Sequence, residues 1–199
     1  MSSPLLYYIR HGETDWNREG RLQGRRDIPI NANGRAQARR CGEVLGDLFA
    51  RGATDAARFD FVASPLGRAR ETMQLVRAGL GLDPTAYRTD PRLTEVSFGA
   101  WEGFTTEELR ARAPDAVAAR ENDKWSFTPP QAESYFTMSL RVHDWYRSLM
   151  RDTVAVAHGG TFRGLIVQLG IAPAAEAPFL DVAQGVVYVI RPGSIDRYG

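Results

Sequence analysis

The sequence predicts an α/β fold layered around a mostly parallel sheet, and three observations carry that expectation. Short apolar runs alternate along the chain with segments of helical periodicity. Two of the runs end in a His-Gly turn, at His11-Gly12 and at His158-Gly159. A third run stops at Ser64-Pro65. In such sheets ligands bind beyond the carboxyl ends of the strands, and all three turns fall at such ends.

Leu5 to Ile9 is the first strand, rich in strand formers and bounded by Pro4 and the His-Gly turn. Residues 11–33 are polar and read as a long functional loop with a turn of helix at most. Asn33-Gly34 starts a helix that runs to about Phe49, with Cys41, Val44, Leu45, Leu48 and Phe49 as its apolar positions. Phe59 to Ala63 is the second strand. The helix after it carries Leu66, Ala69, Met73, Val76 and Leu80 at 3–4 spacing, and Gly79 and Gly81 end it. Residues 84–103 read as irregular, with a short strand near Tyr87. A polar insertion at about 104–130 holds one or two short helices. Glu133 to Arg151 is the clearest helix. Its stripe of Tyr135, Met138, Val142, Trp145 and Leu149 indicates core packing. Thr153 to Ala157 is a third strand leading to His158, Thr161 to Leu169 a helix, and Val186 to Ile190 the last strand.

The bulk numbers narrow the function. At 199 residues the chain is expected to form a single domain, 1–199, with a sizeable core. A net charge of +1 gives no reason to expect a nucleic-acid or membrane partner. Residues 1–40 nevertheless hold eight Arg against four Asp or Glu, a bias that suits an anionic ligand. One Lys, Lys124, stands against 24 Arg, so an isolated Arg is weak evidence of phosphate binding here. The only cysteine, Cys41, excludes an intrachain disulfide and reads as core filler. No apolar run is long enough to span a bilayer. The opening Met-Ser-Ser-Pro has no basic region, so no signal peptide is expected and the cytoplasm is the default location. The oligomeric state stays open, with a homodimer among the options. Three histidines at these spacings give no metal signature, and no cofactor is expected. His143 lies off the apolar stripe and reads as a surface residue.

Chemistry concentrates in ordered motifs. They are Arg10-His11-Gly12-Glu13-Thr14, Asn17, Arg21-Leu22-Gln23-Gly24, Ser64-Pro65-Leu66-Gly67-Arg68-Ala69-Arg70-Glu71-Thr72, Leu93-Thr94-Glu95, Phe98-Gly99-Ala100-Trp101-Glu102-Gly103 and His158-Gly159-Gly160-Thr161. In this order they resemble the histidine phosphatase superfamily, also called the phosphoglycerate mutase-like family, over nearly the whole chain. One motif alone is weak, but the ordered set is specific. The resemblance implies a three-layer α/β/α sandwich and a reaction that needs no metal.

It also implies roles that agree with the chemistry of the residues. His11 is the expected nucleophile, forming a phosphohistidine and splitting one hard displacement into two easier ones. Such a histidine must be neutral at one nitrogen and held at the other, and a turn through Gly12 can offer a carbonyl for that. Arg10 and Arg68 are the expected clamps on the phosphoryl oxygens, because guanidinium groups match them in bidentate geometry. His158 is a further donor. Thr14, Asn17 and the Gly159 amide are neutral donors to phosphate or substrate. Glu95 is the general acid, which must carry a proton when the leaving oxygen departs. Glu13 is read as a buttress to the arginines. Arg21, Gln23 and Gly24 either edge the pocket or shape the loop. Trp101 and Trp125 read as packed aromatics before pocket residues.

The same pocket serves hydrolysis and mutase chemistry. The loop from Arg21 to Asn31 holds no aromatic residue, the insertion is modest, and Glu133-Ser134 resembles a segment common in phosphatase members, with Ala132 replacing its glycine. The expectation is therefore a phosphomonoesterase acting on a small phosphorylated metabolite, with a cofactor-dependent phosphoglycerate mutase as the alternative. A catalytically silent phosphate-binding module is disfavoured because no catalytic position is replaced. The insertion is expected to cap the substrate, with Arg112, Arg120, Lys124, Trp125 and Phe127 as candidates for substrate selection.

Overall fold

β1 (Leu6–Arg10) lies in the middle of a six-stranded sheet whose order is β3-β2-β4-β1-β5-β6. The computed structural model describes residues 4–199, so Met1, Ser2 and Ser3 of the opening segment read above for a leader lie outside them. The other strands are β2 (Asp60–Ala63), β3 (Arg88–Thr89), β4 (Thr153–Ala157), β5 (Val187–Arg191) and β6 (Ser194–Tyr198). β1, β2, β3 and β4 run parallel, while β5 is antiparallel to β1 and β6 to β5. The expected mostly parallel sheet is present, with an antiparallel hairpin on one edge. β6 was not expected, because its five residues are mostly exposed and carry no apolar run.

Among the described residues seven helices cover the two faces: α1 (Asp15–Arg18), α2 (Ala32–Arg51), α3 (Gly67–Gly79), α4 (Thr106–Arg112), α5 (Pro114–Asn122), α6 (Tyr135–Arg147) and α7 (Gly159–Gln168). Alternation along the strands sorts the core into two layers. Tyr7, Ile9, Val154 and Val156 point into one cluster with Cys41, Leu45, Met73 and Val76 of α2 and α3. Leu6, Tyr8, Ala155 and Ala157 point into the other, with Met138, Val142, Trp145 and Leu165 of α6 and α7. Leu109 of α4 and Val117 of α5 join this second cluster, which seats the inserted segment over the sheet. Burial drives the Cys41 thiol up to about 12, consistent with an inert core filler. Among the described residues no helix is long and apolar enough to cross a membrane.

Three helix starts differ from expectation, and a side-chain cap sets two of them. α2 starts at Ala32, since Asn31 Oδ1 accepts the Gly34 amide at 2.9 Å. α6 starts at Tyr135, since Ser134 Oγ accepts the Thr137 amide at 3.0 Å. Glu133 stays outside the helix, paired with Arg141 and accepting the Ser97 amide at 3.2 Å. α7 starts at Gly159, directly after its N-cap His158. The expected stripe on α6 is buried from Tyr135 to Leu149, although the helix itself stops at Arg147.

Parallel pairing brings three strand ends to one edge of the sheet. The His11 amide donates to Ala157 O at 2.9 Å, and the Ser64 amide donates to Val156 O at 2.9 Å. His11, Ser64 and His158 therefore emerge side by side. Gly12 and Gly34 let the N-terminus of α2 press against the first turn. A Cβ on Gly12 would lie 2.3 Å from Gly34 O, and one on Gly34 would lie 2.2 Å from Glu13 O.

Candidate active site

His11 is buried at the end of β1, and its Nδ1–H donates to the Gly12 carbonyl at 2.8 Å. With the proton on Nδ1, the lone pair sits on Nε2. Burial, then the charges of Arg68 and Arg10, hold its pKa well below the ordinary histidine value. The imidazole is thus neutral and nucleophilic at neutral pH. α3 steadies the turn: Thr72 Oγ1 accepts the Gly12 amide at 3.0 Å and donates to Arg68 O at 2.8 Å.

Two guanidinium groups flank this ring, and among the described residues neither has a carboxylate partner. Arg68 is fully buried, and it donates from Nη1 to Arg26 O at 2.6 Å and from Nη2 to Gly24 O at 2.7 Å. Arg10 donates from Nη1 to Val182 O at 2.7 Å. The Nε of each is buried with no hydrogen-bond partner. Burial is the main cause that lowers both pKa values, yet an arginine stays charged. Buried charge with unspent donors is costly by itself, and an oxyanion would satisfy both needs.

His158 lies behind His11, with ring centroids 5.1 Å apart. Its Nε2 is 2.7 Å from Ser64 Oγ, and its buried Nδ1 has no partner. With Ser64 donating to Nε2, the proton of the neutral ring sits on Nδ1, which becomes another free donor. Burial, Arg68, His11 and Arg10 all hold His158 well below its ordinary pKa. Tyr8 fixes the turn beneath it, its hydroxyl donating to His158 O at 2.8 Å.

A cleft of about 200 Å³ opens over these groups. Wider surface hollows exist, such as one of about 630 Å³ beside Arg58 and Asp152, but neither histidine reaches them. Of the residues expected at the site, Arg10, His11, Arg68, Glu95, Asn17, Gln23, Gly24 and Gly159 line the cleft, as does Arg21. Gln23 leaves Oε1 buried and unpartnered. Glu95 Oε1 accepts its neighbour Val96's amide at 2.9 Å, and Oε2 accepts the Gly160 amide at 3.1 Å. Arg21 is spent on Glu19, Glu108 and Gly103 O, so it braces the rim.

Several expectations are corrected. Thr14 is buried and does not line the cleft. Its hydroxyl caps α1, accepting the Asn17 amide and donating to Asn17 Oδ1. Glu13 buttresses Asn31 Nδ2 at 2.9 Å, not the arginines. His158 is fully buried with its ring centroid 5.1 Å from that of His11, so its unpartnered Nδ1 is the only part of the ring left to meet a phosphoryl oxygen. Of the five selection candidates, Arg120 and Lys124 line the cleft. Arg112 instead stacks on Phe104, Phe127 packs on Trp101, and Trp125 packs on Tyr135.

Sequence reasoning missed Arg163 and Tyr135, which line the cleft, and Gln184. Gln184 Nε2 donates to His11 O at 3.0 Å and to Asn17 Oδ1 at 3.1 Å. Arg163 lies one helical turn beyond Gly159, so helix periodicity could have placed it beside the motif.

Comparison with known proteins bears on this geometry. The family model for the histidine phosphatase superfamily (branch 1) matches residues 6–195. The glucosyl-3-phosphoglycerate phosphatase of Mycobacterium tuberculosis is 32% identical over 194 residues, covering 90% of this chain and 81% of that protein. A 2,3-bisphosphoglycerate-dependent phosphoglycerate mutase of Methylobacterium radiotolerans is 30% identical over 195 residues, covering 94% and 89%. A crystal structure from Escherichia coli, put forward as an alpha-ribazole-5'-P phosphatase, superposes with a TM-score of 0.80 at 26% identity, covering 98% of this chain and 95% of that one.

Proposed function

Because the chain belongs to branch 1 of the histidine phosphatase superfamily, we propose that it is a phosphomonoesterase acting on a small phosphorylated metabolite through a phosphohistidine at His11. One observation carries the reading: a neutral imidazole, with Nδ1 fixed on Gly12 O, shares a cleft with two buried guanidinium groups that have unspent donors.

In the first step His11 Nε2 attacks phosphorus and the bond to the ester oxygen breaks. Glu95 gives its proton to the departing oxygen. Arg10, Arg68 and Nδ1–H of His158 hold the three equatorial oxygens as charge spreads onto them, and the amides at the start of α7 add to that field. In the second step water attacks the phosphohistidine, Glu95 takes its proton, and the N–P bond breaks to release phosphate. The inserted helices α4 and α5 cap the cleft and select the substrate.

The decisive experiment is rapid acid-free quench with radiolabelled substrate. Label on His11 that turns over in wild type and is lost in His11→Ala supports the reading. Turnover without a phosphoenzyme sinks it. A mutase reading stands second, favoured by the 30% identity to a phosphoglycerate mutase. The two share the first step and differ in the acceptor, water or a second hydroxyl. Transfer between the 2- and 3-positions of phosphoglycerate that outpaces phosphate release would favour the mutase.

A further inference from the structure

The loop before α2 holds Arg68 by two of its carbonyls. Arg68 Nη2 donates to Gly24 O at 2.7 Å and Nη1 to Arg26 O at 2.6 Å. Arg25 lies between those two carbonyls, and its own amide donates to Glu102 Oε1 at 2.9 Å. The same oxygen accepts the Phe98 amide at 3.1 Å. Phe98 follows closely after the proposed acid, Glu95. One carboxylate oxygen therefore joins the segment that carries Glu95 to the loop that holds Arg68.

The rest of the loop is fixed around this contact. Leu22 pairs with the residues just after Glu102: its amide donates to Phe104 O at 3.0 Å, and its carbonyl accepts the Gly103 amide at 2.8 Å. Gly24 turns the chain with a φ of 53°, and a Cβ there would run into Glu102 Oε1. At the far end Asp27 Oδ2 accepts the Gly67 amide at 2.8 Å, at the start of the helix that carries Arg68. Glu133 braces the outside, with Oε1 accepting Arg25 Nη2 at 3.0 Å.

Charge alone argues against a carboxylate at this place, because it repels an anion bound nearby. Glu102 is near enough for its charge to act on Arg68: burial lowers the Arg68 pKa, and Glu95, Asp27 and Glu102 oppose that. Among the described residues none of the three forms a salt bridge with Arg68. What Glu102 supplies is two hydrogen bonds to main chain on either side of it.

We propose that Glu102 is a positioning residue: it holds the loop so that Gly24 O and Arg26 O aim the Arg68 guanidinium, with its unpartnered Nε, at the phosphoryl group. This rests on the phosphatase reading of Arg68 as a phosphate clamp.

The test is calorimetric titration of the full-length protein with inorganic phosphate. Glu102→Ala should weaken binding about tenfold, the opposite sign to that expected from removing a negative charge. Both bonds fall on Oε1, so Glu102→Gln keeps them with its amide oxygen. It should bind phosphate within about threefold of wild type, or more tightly. Arg68→Lys cannot span the two carbonyls. In that background Glu102→Ala should weaken binding by less than about twofold, because its effect runs through Arg68. If a thermal melt shows that Glu102→Ala does not fold, Glu102→Asp takes its place, keeping the charge while withdrawing the oxygen by a methylene. It should weaken binding at least about threefold. Unchanged or tighter binding in the variant used overturns the proposal. An equal loss in Glu102→Gln overturns it too, as does an undiminished loss in the Arg68→Lys background. Failure of the phosphatase reading looks different: the phosphate affinities follow this pattern while wild type forms no phosphohistidine.

Discussion

The Gly160 backbone amide donates to Glu95 Oε2 at 3.1 Å, and nothing larger than glycine fits at 160 while that contact exists. A Cβ there would lie 2.3 Å from Glu95 Oε1. Gly160→Ala should therefore push the proposed acid off its position and leave the clamp in place. The expected loss in kcat/KM is about 10- to 100-fold for an alkyl phosphate, whose leaving oxygen needs the proton. For p-nitrophenyl phosphate, a good leaving group, the loss should stay under about threefold. Equal losses on both substrates would show that the alanine damages phosphate binding instead.

Ser64 Oγ and His158 Nε2 are 2.7 Å apart and both buried. Ser64→Ala removes the group that directs the His158 proton to Nδ1 and leaves a ring nitrogen unpaired. Stability should fall by about 1–3 kcal/mol, read from urea unfolding. Inorganic phosphate should bind about tenfold more weakly to the variant, since one donor is lost. Unchanged phosphate affinity in a destabilised protein would reduce Ser64 to a packing role.

Gln184 touches the proposed nucleophile through the main chain, donating to His11 O. It is a positioning residue, so Gln184→Ala should lower the rate of phosphohistidine formation by about tenfold with little change in KM, as expected when geometry is lost and binding is not. A rise in KM at constant kcat would place Gln184 in substrate binding.

The two buried histidines make stability acid-sensitive. Each has a folded pKa held well below the unfolded value of 6.5. Below pH 6.5 the unfolded chain binds two protons that the folded chain refuses, so stability falls as pH falls. The slope should reach about 2.7 kcal/mol per pH unit from the pair. Urea midpoints at pH 7.5, 6.5 and 5.5 measure it, and His158→Gln should remove about half of that slope. A slope that His158→Gln leaves unchanged would assign the acid sensitivity to other groups.

The central elements were legible because their signals are local. Apolar runs ending in His11 and His158 and the stripe on α6 need only neighbours in sequence to be read. β6 was illegible because an exposed edge strand has no burial pattern to display. Thr14 was misread since a hydroxyl after His-Gly-Glu looks the same whether it meets a phosphate or a helix end. Arg163 and Gln184 were silent for another reason: each reaches the site only through tertiary closure, and one arginine among 24 announces nothing. Short helices within 104–130 were legible as such, but which of their residues face inward depends on how α5 seats on the core.

The pairing of β1 with β4, Leu6 against Thr153 through Arg10 against Ala157, has a consequence for how the protein is made. The partner of the first strand is synthesised about 147 residues later, so a growing chain on the ribosome has the proposed nucleophile before it has the strands that hold it. β5, the other neighbour of β1, comes later still. A nascent fragment that ends before β4 therefore carries Arg10, His11 and Arg68 without the backbone that aligns them. His11 is translated well before either strand that sets it in place.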